Sequence, residues 1–295
     1  MPATLKSKFL RLSGLTHLRE VRWNIKHLTE SVREARQIRT LLTQEHLRQL
    51  LAEPKYQDPR RLSGHQFRVY SQNGEDGIFE EIFRRIGTTN QFFAEFGVQS
   101  CENNSLYLLV KGWRGIWLEG DESQVALIQT EMAKQIQAGQ LAVKRAFITA
   151  ENIEALFREL QVPAELDLLS IDIDGNDYWI WKALGAFRPR VLVIEYNPIF
   201  PPHVRWVMKY NPTHNWQQDS YQGASLKSLE LLGAAKGYKL VGCDLTGTNA
   251  FFVRDDLVSD HFASPFTAEN HHEPARYYLQ TRLGHPRAWG EFEAV

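Results

Sequence analysis

From residue 70 onward, short runs of β-branched, aromatic and aliphatic side chains alternate with stretches whose apolar residues recur at helical spacing. Seven strands are predicted at 90–97 (NQFFAEFG), 115–119 (GIWLE), 141–145, 166–172 (LDLLSID), 190–195 (RVLVIE), 238–243 and 250–254. Helical patterns lie between them at about 73–86, 103–111, 122–138, 151–160, 176–185 and 224–236. Strands that alternate with helices need crossover connections, so the sheet is mainly parallel with helices on both faces. Only residues 244–249, with Gly247 among them, separate the last two strands, which should therefore pair as an antiparallel hairpin. The expected fold class is α/β, a Rossmann-like seven-stranded sheet. In such sheets ligands bind outside the carboxyl ends of the strands, where strand order reverses.

Before this body the pattern is different. Leu18, Val21, Ile25, Leu28, Val32 and Ala35 recur at alternating spacings of three and four, the seam of a helix that packs on another helix. Arg39 interrupts the seam and Leu42 resumes it. Pro54, Pro59 and Gly64 mark a boundary, giving a helical extension over 1–52, a linker over 53–69, a main domain over 70–256 and a tail over 257–295 that packs on it. The extension has three readings: self-association into a homo-oligomer or docking on a partner, packing against its own chain, or contact with an anionic membrane surface.

Charge supports this division. The chain of 295 residues has a formal net charge of −1, but residues 1–50 hold ten basic and four acidic side chains, leaving 24 basic and 31 acidic in the rest. A basic arm thus precedes an acidic body, and nucleic acid is not expected as a partner because no recognition motif accompanies the arm. With 43% hydrophobic and 12% aromatic residues the chain has ample material for a core. It shows no apolar run of the ~18 residues needed to span a bilayer and no signal-peptide pattern. Cys101 and Cys243 are its only cysteines, which agrees with a reducing compartment; the expected location is cytoplasmic.

Candidate chemistry concentrates at strand ends, where Glu95 and Gly97, Glu119 and Asp121, Asp172 and Asp174, and Glu195 and Asn197 stand in turn. A carboxylate at the end of the second strand, about twenty residues after a glycine turn, suits a ribose diol. The first turn, EFGVQSCENNS, lacks the G-x-G-x-x-G fingerprint, which favours a nucleoside without phosphates over a dinucleotide.

In order, SQNGEDG, FFAEFGV, ENNS, GWRGIWLEGDE, DLLSIDIDGNDYWIW, VLVIEYN and GTNAFFVR resemble the FkbM-type branch of class I S-adenosylmethionine-dependent methyltransferases across roughly 70–255. The resemblance implies a class I methyltransferase sheet with an antiparallel last pair, S-adenosylmethionine as donor, and an oxygen acceptor on a sugar, glycan or related small molecule. It implies that Glu95, Gly97 and Asn104 lie along the donor, that Glu119 holds its ribose, that Phe147 lies near its adenine and that Asp172 contacts it. Cys101 stands where relatives often have a second glycine, a departure that leaves room for a retired, non-catalytic fold serving as a scaffold. A nicotinamide-dependent oxidoreductase on the same sheet is the other alternative, disfavoured by the missing glycine fingerprint.

Methyl transfer needs an aligned and activated acceptor oxygen. Asp172 and Glu195 lie at the ends of strands expected to be neighbours, and Asn197 follows on the same side. This all-oxygen set suits Mg²⁺, Mn²⁺ or Ca²⁺, and Asp172 and Glu195 count as catalytic candidates. The alternative for Asp172 and Asp174 is a capping role at the following helix. The 197–223 connection carries His203, Trp206, His214, Trp216, Asp219 and Tyr221 and reads as a lid over the acceptor pocket, with His214 a candidate general base or a loop-stabilising residue. Tyr70, Gln72, Glu75 and Asp76 read either as ligand contacts or as the start of the first helix of the body. A zinc reading for His261, His271 and His272 lacks partner ligands.

Overall fold

A computed structural model describes residues 3–100 and 102–280, with side chains in the first helix from residue 20 onward. Packing divides the chain into two units, Met1–Leu50 and Leu51–Val295. The first is helix α1, Ala3–Leu51. Its seam residues Val21, Ile25, Leu28, Val32 and Leu42 are between 40% and 66% exposed. No described helix is long and apolar enough to cross a membrane.

The second unit runs α2 (Glu75–Ile86), β1 (Phe92–Phe96), α3 (Leu106–Val110), β2 (Arg114–Glu119), α4 (Glu122–Glu131), α5 (Ala133–Gln137), β3 (Leu141–Arg145), α6 (Ile153–Glu159), β4 (Leu168–Ile171), α7 (Asp177–Ala183), β5 (Val191–Glu195), α8 (Leu226–Ala235), β6 (Tyr238–Cys243), β7 (Asn249–Arg254), α9 (Asp255–Val258) and α10 (Ala268–His271). The expected strands are all present. The single helical pattern at 122–138 is divided at Met132, whose ψ of 18° departs from helical geometry as its side chain enters the core.

The sheet order is β3-β2-β1-β4-β5-β7-β6, with β7 antiparallel to both β5 and β6 and the other pairs parallel. This is the class I methyltransferase topology. Strand order reverses between β1 and β4, which places the ligand crevice there. Side-chain alternation along each strand feeds two cores. Phe96, Leu118, Ile171 and Ile194 face one side with Phe157 and Trp181, while Phe93, Trp117, Val193 and Phe251 face the other with Phe79 and Ile128. On the first side Trp181 and Phe252 lie 4.8 Å apart, centroid to centroid.

The segment expected as a linker is a packed strap. Tyr56 donates a hydrogen bond to Glu273 at 2.7 Å, Arg61 donates to the carbonyl of Asn270 at 3.2 Å, and Leu62 is 1% exposed. Tyr56 between the prolines and Leu62 after them give it something to bury, which a search for turn formers overlooks. Among the described residues after 256, Glu273 accepts from the Tyr196 hydroxyl at 2.6 Å through its carbonyl, and the backbone N–H of Arg276 donates to the Thr246 carbonyl at 2.8 Å.

Candidate functional site

A cavity of about 510 Å³ opens at the carboxyl ends of β1, β4 and β5. Its sheet side holds Glu95, Gly97, Asp172, Asp174, Glu195 and Asn197. Gly97 sits at the strand reversal with a φ of +71°, and a Cβ there would lie 1.7 Å from the carbonyl oxygen of Asp172. Only glycine lets the β1 turn approach β4 so closely and adopt this backbone.

Glu95, 2% exposed, accepts hydrogen bonds from the backbone N–H of Asn104 at 2.7 Å and of Ser105 at 2.9 Å, and from the Ser105 hydroxyl. Its carboxylate thus fixes the β1–α3 loop, and burial raises its pKa to about 7 against the pull of those donors. Asn104 lines the cavity and donates through its side chain to Ser170 at 3.1 Å. Cys101 lies outside the described residues.

The turn after β4 resolves the capping question. Asp177 accepts from the backbone N–H of Ile173 at 2.9 Å and of Gly175 at 2.8 Å, so it organises the turn from inside the helix. Asp172 and Asp174 are released to the cavity. One oxygen from each, with one from Glu195, all lie within 4.8 Å of one another. Burial raises the pKa of Asp172 well above the ordinary value, and the charges of Asp174, Asp177, Glu95 and Glu75 add to it. Glu195 is raised well above its own by burial and by Asp172, Asp177 and Asp174. Asp174 is raised by burial, with His214 pulling the other way.

Asn197, expected as a third oxygen ligand, lines the cavity but is also engaged in the loop. The Asn197 amide donates to the carbonyls of Ser220 at 2.9 Å and Gln222 at 3.1 Å, and its oxygen accepts from Ile199 at 3.3 Å. It closes the base of the 197–223 loop, leaving Asp174 as the third member of the cluster.

The loop covers the cavity as expected, contributing Ile199, Trp216, Gln218, Asp219, Ser220 and Gln222. His214 does not line it. Its ring rests on Gly175, where a Cβ would lie 2.4 Å from Cδ2, and its Nε2 is buried without a partner. Tyr221 packs edge-on at 6.3 Å. His203 belongs to the outer part of the loop, and Trp206 is 64% exposed.

Glu119 closes β2 and Phe147 follows β3, and neither lines the cavity. Glu119 accepts from the backbone N–H of Asp121 at 2.7 Å, with Gly120 and Val98 adding backbone donors; burial raises its pKa. The Val98 contact ties it to the Gly97 turn. Phe147 is 52% exposed, and a Cβ on Gly120 would lie 3.8 Å from its ring, so the two residues border one open shelf.

The motif at 71–77 is mostly architecture. Asp76 accepts from three successive backbone N–H groups, Val69, Tyr70 and Ser71, while Glu75 accepts from Asn73 and from the Asn249 side chain at 2.7 Å. Gln72 and Asn73 still reach the cavity. So do Glu102, Asn103, Thr248, Asn249, Tyr277 and Gln280, which the strand-end reasoning missed. Asn249 was findable, because the antiparallel register sets it opposite Glu195. Tyr277 and Gln280 carry no such signal. In the tail, His271 is buried, with Nε2 3.1 Å from the Ala263 carbonyl, and burial lowers its pKa to about 3.

Four buried carboxyls have folded pKa values above their ordinary ones, each chiefly through burial: Asp76 and Asp177 at about 6, Glu95 and Asp244 at about 7. Groups raised in the fold hold protons more tightly there than in the unfolded chain, so their contribution is full below the unfolded values and is lost as pH rises through the folded ones. The chelator-treated protein is therefore expected to melt at progressively lower temperature between about pH 4.5 and pH 7. Buried His271, with its pKa lowered to about 3, works the other way up to about pH 6.5, but four carboxyls outweigh one imidazole; a melting temperature that climbs over this window would contradict that balance.

No family model matches the chain, and no curated protein matches it. Distant similarity to solved structures does appear. The N-terminal domain of EvdMO1 with S-adenosylhomocysteine bound matches at 12% identity and TM-score 0.40, covering 61% of this chain and 79% of that one. Magnesium protoporphyrin IX methyltransferase (ChlM) from Synechocystis PCC 6803, also with S-adenosylhomocysteine, matches at 12% identity and TM-score 0.42, covering 62% and 83%. The O-methyltransferase from Bacillus cereus matches at 18% identity and TM-score 0.31, covering 52% and 66%. At such scores the fold rests on the strand order itself.

Proposed function

We propose that the chain is an S-adenosylmethionine-dependent O-methyltransferase acting on a hydroxyl of a sugar, glycan or related small molecule, in keeping with the FkbM-type resemblance. The observation that carries this reading is the Gly97 turn, pressed against the Asp172 carbonyl at the strand reversal and flanked by Glu119 on one side and a carboxylate-lined cavity on the other. The adenosine would occupy the shelf at Glu119 and Phe147, its ribose diol donating to Glu119, and the methionine end would pass over Gly97 beside Glu95 and Asn104. The sulfonium then faces the cavity, where negative side chains favour a positive donor.

The acceptor enters beneath the lid, with its oxygen beside Asp172, Asp174 and Glu195. As the oxygen attacks the methyl carbon, the carbon–sulfur bond breaks and its electron pair stays on sulfur, giving neutral S-adenosylhomocysteine. The hydroxyl proton passes to a carboxylate lining the cavity. Asp172, Asp174 and Glu195, in place of His214, which packs on Gly175, are thus the groups that activate the hydroxyl.

Calorimetric titration with S-adenosylhomocysteine tests the reading. The wild-type chain is expected to bind, and Glu119→Ala to weaken binding by roughly 10- to 100-fold through loss of charge-assisted hydrogen bonds worth about 1.5–3 kcal/mol. Absence of binding to the wild type would overturn it.

A further inference from the structure

We propose that Asp172, Asp174 and Glu195 form a divalent-cation site at the cavity floor, with Asn249 as a polar partner for the cation's water. The inference deepens the methyltransferase reading by stating what activates the acceptor, but the cation's binding can be measured apart from it.

Three observations carry the site. Carboxylate oxygens on one Ca²⁺ at about 2.4 Å can be at most about 4.8 Å apart, and the three oxygens here fall within 4.8 Å of one another. Next, the cluster is unneutralised: besides one another, Asp172 and Glu195 face Asp177, and Asp172 also faces Glu95 and Glu75. The Gln222 amide, 3.5 Å from Glu195, and the His214 ring near Asp174 are the opposing groups. Finally, two amide oxygens at the cavity lack donors. Asn249, 2% exposed, spends its amide N–H on Glu75 and keeps an unpartnered Oδ1, and Gln222 likewise keeps an unpartnered Oε1. Asn249 is directly opposite Glu195 in the β5–β7 register, and side chains so paired share one face of the sheet. A buried acceptor without a donor is costly, and water on a bound cation would supply one.

The donor set is all oxygen and mostly anionic, which suits Mg²⁺, Mn²⁺ or Ca²⁺ and not zinc. When bound, such a cation lowers the pKa of a coordinated hydroxyl and orients it. Asp172 and Glu195, on adjacent strands, set the spacing; Asp174, from the turn, adds the third anionic oxygen.

The test uses the full chain stripped of metal, without donor. Mn²⁺ is titrated calorimetrically, and Tb³⁺ is added in a second series to read emission sensitised by Trp216, which lines the same cavity. One saturable site is expected, weakened at least tenfold in Asp174→Asn and in Glu195→Gln and unchanged in Glu102→Gln, which removes a cavity carboxylate outside the cluster. Both cluster variants should melt no lower than wild type without metal and should lose the rise that Mn²⁺ gives. The proposal is overturned if the wild type fails to bind Mn²⁺ at millimolar concentration, or if binding survives both cluster variants. Binding of S-adenosylhomocysteine without Mn²⁺ binding would sink the cation site and leave the methyltransferase reading standing. Binding of Mn²⁺ without S-adenosylhomocysteine would support the site and remove that reading.

Discussion

Asp172→Asn is expected to lower methyl transfer by roughly 10³-fold, within the range associated with losing a positioned acid–base group, while making the metal-free protein more stable. The two effects have one cause. The Asp172 carboxylate is enclosed by Asp174, Asp177, Glu95 and Glu75, all of the same sign. An amide of the same shape removes that repulsion, and a gain of about 1 kcal/mol would raise the melting temperature by about 2–4 °C in a domain of this size. The same substitution removes an anion facing the donor. Affinity for S-adenosylmethionine, which carries a sulfonium, should fall more than affinity for neutral S-adenosylhomocysteine. Turnover assays, thermal melts in chelator and paired titrations measure these quantities. Full turnover with a lowered melting temperature would mean that Asp172 is a structural residue.

Gly97→Ala should have the other large effect. Its Cβ would lie 1.7 Å from the Asp172 carbonyl oxygen, and the backbone would be held at a φ of +71°. Left-handed strain costs of order 1–3 kcal/mol, and relieving the overlap must displace β1 or β4, bringing the destabilisation to at least about 3 kcal/mol. Denaturant unfolding should register this loss, and titration should show S-adenosylhomocysteine binding lost even in molecules that remain folded. A variant of normal stability and affinity would contradict the close strand approach on which the donor site depends.

The sheet was readily legible because buried parallel strands are continuous apolar runs, and RVLVIE or LDLLSID has few other ways to bury itself. The strand-end acids were legible for the same reason, since a carboxylate closing an apolar run stands out. What escaped was whatever depends on the direction of a polar side chain. Asp177 reads as an ordinary first-turn residue, yet it reaches backward to cap the turn and frees Asp172 and Asp174. Asn197 has the position of a ligand, but its amide donates to the loop carbonyls of Ser220 and Gln222. The cavity walls from 72–73 and 277–280 come from opposite ends of the domain, and no local spacing announces that they meet. Gln280 donates to Asn73 at 2.6 Å, a contact between residues far apart in the chain.

The Asn197 clamp bears on how this protein can diversify. Its amide joins the two ends of the 197–223 loop, and the backbone N–H of Asn197 also bonds the carbonyl of Ala224 at 2.8 Å. The segment between is thus a ring fastened at its base and again at its middle, where Asn176 donates to the Asn211 carbonyl at 2.7 Å and Trp179 to that of Met208 at 2.8 Å, and much of what it shows the cavity lies beyond those ties, at Trp216, Gln218, Asp219 and Ser220. Insertions and replacements in that distal part leave strand register undisturbed. On the proposed methyltransferase reading, acceptor preference would change through these few residues, while the sheet, the Gly97 turn and the carboxylates beneath it stay constant.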